Sequence, residues 1–217
     1  YLETDPSELL EGPKIGFKIP EVLTVEEIDR IISAVDMDKK EGQRNRAILE
    51  TLYSCGLRVS ELCNLKLSDL YFEEGFIKVE GKGSKQRLVP ISPRAIKEIK
   101  YWLTDRNLGK IKKGYEDYVF LARWGNNISR IMVFHMIKEL AEKTGITKNI
   151  SPHTFRHSFA THLLEGGANL RAIQCMLGHE SIATTEIYTH IDRNMLRSEI
   201  IEHHPRNIKY RKERGIY

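Results

Sequence analysis

The sequence predicts a mainly α-helical fold with a small three-stranded antiparallel sheet at one edge. Apolar residues recur at three- and four-residue spacing along most of the chain, and capping residues precede several of these stripes. Between residues 76 and 91 the period switches to two around one glycine-rich turn, the pattern of a hairpin. No alternation of strands with crossover helices marks a parallel, doubly wound sheet.

The elements follow in order. Residues 1–22 carry Pro6, Pro13 and Pro20 with little periodicity and read as an extended linker. Thr24 followed by Glu27 is a capping box, and Ile28, Ile31, Ile32 and Val35 form a helical stripe behind it. A second helix covers 43–54, with Ala47, Ile48, Leu52 and Cys55 on its apolar side. Gly56 breaks it, and a short helix follows over 59–65. Strands over 76–80 and 87–91 flank the turn Gly81-Lys82-Gly83-Ser84, and 118–122 is the expected third strand. Pro93 opens a helix to about residue 106, and a long amphipathic helix covers 129–144. Ser151-Pro152 sets an N-cap before a proline at the first helical position. Three further helices end near His204, one of them over 169–177 and another over 193–202. The latter carries Met195, Leu196, Ile200 and Ile201, apolar anchors for a neighbouring subunit or for its own domain. Residues 205–217 are expected to form a mobile basic tail.

With 217 residues, 41% of them apolar, the chain has ordinary globular composition. No uncharged apolar run is long enough for a membrane span, and no charged-then-apolar start reads as a secretion signal. Opening on Tyr1 rather than Met, the chain is expected to be part of a longer protein. The net charge of +4 is too small to argue for nucleic acid, but its distribution is uneven. Basic residues gather at Lys82, Lys85 and Arg87, over 106–113, and over 206–214, each a patch for phosphates or a solvated surface. Cys55, Cys63 and Cys175 have neither metal-ligand spacing nor a disulfide framework. They read as buried small hydrophobes in a reducing cytoplasm.

The residues that can carry chemistry are scattered. His153 and Arg156 sit three apart at the start of one helix, where free N–H groups and the dipole favour an anion. Phe155, Phe159 and Leu163 would anchor that helix in the core. Arg156 borders their stripe, so its guanidinium is held as a phosphate clamp requires. His157 and His162 share the helix and read as structural. Arg58 can clamp a second phosphate oxygen, pair locally with Glu61, or be oriented by it. Lys82, between glycines in a turn, can give a proton to a leaving alkoxide or can simply be solvated. Lys85 and Arg87 compete for a nearby phosphate role. His179, after Gly178, can donate to a phosphate oxygen or cap a helix. Tyr188 is one of nine tyrosines; adjacent guanidinium groups would be needed to make its phenol a nucleophile.

In their order, Arg58, Lys82, His153, Arg156, His179 and Tyr188 resemble the tyrosine recombinases of the phage integrase family, most of all the Xer-type branch. The resemblance rests on Gly-Leu-Arg-Val-Ser-Glu-Leu (56–62), Gly-Lys-Gly-Ser-Lys-Gln-Arg-Leu-Val-Pro (81–90), Ser-Pro-His-Thr-Phe-Arg-His (151–157) and Leu-Gly-His (177–179) with Tyr188 nine residues on. The late His-His-Pro-Arg (203–206) also looks Xer-like. The resemblance implies a DNA breaking-rejoining catalytic-domain fold over 23–204, with the family's N-terminal core-binding domain absent from this chain. It implies a metal-free and cofactor-free DNA strand transferase. Arg58 and Arg156 would clamp the scissile phosphate, and His153 and His179 would complete the pocket. Lys82 would be the general acid and Tyr188 the nucleophile, forming a 3′-phosphotyrosine bond. Lys85 and Arg87 would contact DNA. The implied partners are double-stranded DNA and a homo- or hetero-tetramer on paired sites, in a bacterial, nucleoid-associated cytoplasmic setting with no membrane. Chromosome dimer resolution and mobile-element integration stay open as roles. Type IB topoisomerase-like strand passage and a non-catalytic DNA-binding module stay open as alternatives.

Overall fold

In the computed structural model of the protein, residues 21–178 and 190–213 are described, the side chains of Lys82 and of residues 190–192 excepted. The described elements are helices α1 (Val25–Ser33), α2 (Gly42–Cys55) and α3 (Val59–Cys63), then strands β1 (Leu70–Tyr71), β2 (Phe76–Glu80) and β3 (Gln86–Pro90). Helices α4 (Pro93–Leu108), α5 (Arg130–Lys143), α6 (Pro152–Glu165), α7 (Leu170–Leu177), α8 (His190–His203) and α9 (Pro205–Glu213) complete them. Among the described residues no helix is long and apolar enough to cross a membrane.

Helix α2 is the hub. From Ala47 to Cys55 every residue is buried, so this helix is enclosed on all sides rather than amphipathic. Its buried hydroxyls find partners within the protein. Thr51 Oγ1 donates to the Ala47 carbonyl, and Ser92 Oγ donates to Ser54 Oγ at 2.9 Å while capping α4 through the Ala95 amide. The Glu50 carboxylate pairs with Arg94 and Arg206. Helix α2 stops at Gly56, which adopts the left-handed conformation (φ 58°). A Cβ there would lie 2.4 Å from the Phe159 ring of α6. Only glycine allows that approach, and it lets the chain turn outward to Arg58.

The sheet has the order β1-β2-β3, all antiparallel, with Tyr71 opposite Phe76 and Glu80 opposite Gln86. Its inward face carries Ile77, Val79 and Val89, and Arg87 stands in the same alternation as Val89. The third strand is the two-residue edge at Leu70–Tyr71, and the strand expected over 118–122 is replaced by isolated bridges. Val119, Phe120 and Leu121 are buried, as the apolar run implies. Their backbone is held piecemeal: the Val119 amide donates to Leu65, Ile128 donates to Phe120, and the Trp102 indole donates to Val119. A buried apolar run looks the same in sequence whether a ladder or single contacts satisfy its backbone.

One expectation at the C-terminal end is corrected. The segment 205–213 is helix α9 rather than a mobile tail. Pro205 starts it, and Arg206, 2% exposed, holds it by ion pairs to Asp29 (2.6 Å) and Glu50 (2.9 Å). Helix α8, a candidate for docking on a neighbour, buries Leu196 and Ile200 in its own domain and leaves Met195 exposed. Cys55 and Cys63 are buried as expected, while Cys175 is only partly so.

Candidate active site

Two residues beyond Gly56, Arg58 stands as the N-cap of α3. Its amide donates to Glu61 Oε2 at 2.8 Å and its guanidinium to Glu61 Oε1 at 2.9 Å. The local ion pair is therefore present, and it coexists with exposure: the Arg58 side chain is 40% accessible. With Ser60, Asn64, Lys66, Lys78 and Gly81 it lines an open hollow.

Glu61 is buried, and a second arginine reaches it. Arg87 Nη1 donates to Oε1 at 2.7 Å and Nη2 to Oε2 at 3.0 Å, a bidentate fork. Its Nε donates to the Met176 carbonyl at 2.9 Å. Burial alone would raise the Glu61 carboxyl. The hydrogen bonds and charges of Arg87 and Arg58 outweigh it and hold the group below the usual carboxylate range. Arg87, expected as a DNA contact, thus lies in the interior with its guanidinium committed to protein. The alternation with Val89 was the readable signal for that position.

Arg156 is set by the helix that carries it. Phe155, Phe159 and Leu163 are fully buried and lock α6 in the core. From the border of that stripe Arg156 Nη1 donates to the Gly56 carbonyl and Nη2 to the Leu177 carbonyl, both at 2.6 Å. Leu177 closes α7, where unpaired carbonyls and the dipole favour a cation. Burial first, and the charge of Arg58 next, bring the Arg156 guanidinium down to about 10, still protonated at neutral pH. Arg58 and Arg87 therefore share one carboxylate, and Arg156 lies within electrostatic reach of all three groups. The excess of positive charge is what an incoming phosphate would balance.

Lys82 opens the turn Lys82–Ser84 between β2 and β3, closed by the Gly81 amide donating to the Lys85 carbonyl at 2.8 Å. A Cβ on Gly81 would lie 3.7 Å from both Arg87 Nη1 and Glu61 Oε1, so this turn begins beside the arginine pair. Lys85 is exposed. His153 is exposed on the first turn of α6 and borders a hollow with Val59, Arg130 and Phe134. His157 is exposed, whereas His162 is buried with Nδ1 2.8 Å from the Tyr53 hydroxyl. His179 and Tyr188 lie outside the described residues. His179 directly follows Gly178, the left-handed cap of α7.

Comparison with known proteins identifies the family and the fold. The phage integrase family matches residues 21–195. A curated relative, the tyrosine recombinase XerD of Staphylococcus saprophyticus, is 44% identical over 206 residues, covering 95% of this chain and 70% of its own length. XerD of Staphylococcus aureus is 42% identical over the same span. Among solved structures, XerA recombinase superposes with a TM-score of 0.68 at 36% identity, covering 86% of this chain and 66% of its own. The XerH site-specific recombinase bound to difH substrate, a pre-cleavage complex, has a TM-score of 0.66 at 30% identity, covering 79% of this chain and 50% of its own. The integrase of mycobacterium phage Brujita, at 24% identity and a TM-score of 0.72, shares the fold.

Proposed function

The chain belongs to the phage integrase family and is a tyrosine-type site-specific recombinase, and from that premise we propose how its own residues cut and rejoin DNA. Three guanidinium groups held close together against a single buried carboxylate carry the proposal: Arg58 and Arg156 clamp the non-bridging oxygens of the scissile phosphate. His153 and His179 complete the pocket. The Tyr188 phenol releases its proton to solvent as its oxygen attacks phosphorus in line, and the bond to the 5′-oxygen breaks as Lys82 protonates it. The product, a 3′-phosphotyrosine ester, conserves the energy of the phosphodiester, so rejoining requires no ATP. A 5′-hydroxyl of the partner duplex reverses the step. The arginines lower the barrier because they balance charge that grows in the transition state, each worth roughly 10²–10³ in rate.

The partners in this reading are duplex DNA, contacted by exposed residues such as Lys85, and other recombinase subunits in a tetramer on paired sites. The curated relatives carry the name tyrosine recombinase XerD, which supports an Xer-type recombinase; chromosome dimer resolution and mobile-element integration are the two roles to be separated. Covalent capture tests the reading. The protein is incubated with nicked duplexes whose arms are randomised, and DNA bound covalently is recovered and sequenced. A palindromic consensus shared with the chromosome supports resolution, one matching the ends of a mobile element supports integration, and no captured DNA refutes the enzyme reading.

A further inference from the structure

We propose that Arg87 is a positioning residue for DNA cleavage, and the inference rests on the reading above. Through Glu61 it fixes Arg58, and through the Met176 carbonyl it ties β3 to the end of α7 that leads into His179. The carboxylate of Glu61 receives a full set of donors: Oε1 accepts from Arg87 Nη1 and Arg58 Nη1, and Oε2 accepts from Arg87 Nη2 and the Arg58 amide. The Arg87 fork sets the plane of that carboxylate. With the plane set, the remaining lone pairs face Arg58, whose side chain is partly exposed.

Stability alone gives no reason for an arginine at this place. Its neighbours on the inward face are Val79 and Val89, and an apolar side chain would continue that face. A buried ion pair is often no more stabilising than an apolar pair of similar volume. What an apolar residue cannot do is hold Glu61 and Met176 together. Arg87 touches both with an 8% exposed side chain. Gly178 lies against it: a Cβ there would meet Arg87 Cδ at 3.0 Å and Nε at 3.1 Å. The same guanidinium therefore borders Glu61, the glycine before His179 and the start of the Lys82 turn.

The test is single-turnover cleavage of a nicked duplex bearing the captured consensus, with either an ordinary phosphodiester or a methylphosphonate at the scissile position. The methylphosphonate lacks the negative charge that Arg58 balances. Arg87→Lys keeps the charge and loses the fork. It is expected to slow cleavage of the phosphodiester by about tenfold or more and to approach wild-type rates on the methylphosphonate, as Arg58→Lys also should. An equal loss on both linkages would reduce Arg87 to structural support, and no loss would remove it from the reaction; either overturns the proposal. If Arg87→Lys does not fold, Arg87→Met with Glu61→Gln removes both charges of the buried pair and must show the same dependence on linkage. A wild-type protein that forms no adduct refutes the recombinase reading, whereas a wild-type adduct matched by Arg87→Lys refutes this inference alone.

Discussion

Arg156 donates to the carbonyl of Gly56 across 2.6 Å, tying the start of α6 to the end of α2. Gly56 turns left-handed against the Phe159 ring, and its carbonyl accepts the Arg156 guanidinium. A glycine, a phenylalanine and an arginine from two helices thus fix one clamp, and the same glycine sends the chain to the other clamp at Arg58.

Replacing Gly56 by alanine is expected to destabilise the fold by about 2–4 kcal/mol, combining the left-handed backbone with overlap on Phe159. Urea denaturation measures this. Trimming the ring in Gly56→Ala with Phe159→Leu should recover the overlap part and leave the backbone part.

Arg156→Lys removes the planar fork that spans the Gly56 and Leu177 carbonyls. Single-turnover cleavage should fall roughly 10²–10³-fold, while the melting temperature changes far less. A rate within a factor of a few of wild type would show that the two-carbonyl anchor is dispensable.

Arg206 balances Glu50 and Asp29 beneath α9. Arg206→Met leaves the fully buried Glu50 with less positive charge and should cost about 3–5 kcal/mol. Adding Glu50→Gln should return part of that. Hydrogen exchange should show α9 opening first in the single variant.

His204 makes stability pH-dependent. It is fully buried, and burial holds its imidazole down at about 3 from an ordinary 6.5. The geometry agrees: Nδ1 accepts from the Arg206 amide, so the proton sits on Nε2 facing the Tyr53 carbonyl. Between those pH values the unfolded chain carries a proton that the native protein refuses. The stabilisation is complete above pH 6.5 and is lost as pH falls, at about 1.36 kcal/mol per unit. Wild type should therefore lose about 2 kcal/mol more than His204→Gln between pH 6.5 and 5. Parallel curves for the two proteins would contradict this.

Much of this was readable in the sequence where physics is local. Thr24 with Glu27, Ser92 before Pro93, Ser129, and Asn169 all cap the helices they precede. The buried stripe of α6 was readable too, and with it the position of Arg156. Three arginines of the basic patches were misread. Arg87, Arg106 and Arg206 are buried at 9%, 4% and 2% exposure, each bound to carboxylates or carbonyls distant in sequence. Composition counts such residues as surface charge, and only their partners show otherwise. Arg87 alone carried a local signal, its two-residue alternation with Val89. The meeting of Gly56, Glu61, Arg87, Arg156 and Leu177 is tertiary, and no spacing in the chain encodes it.

Covalent trapping on a nicked duplex, with Tyr188→Phe beside the wild type, decides whether this arginine cluster serves strand cleavage. The expected result is a 3′-linked protein–DNA adduct that forms with wild type, is abolished in Tyr188→Phe and is strongly slowed in Arg156→Lys. An adduct that persists in Tyr188→Phe would contradict the assignment of the nucleophile, and a wild-type protein that binds the duplex without forming an adduct would contradict the mechanism as a whole.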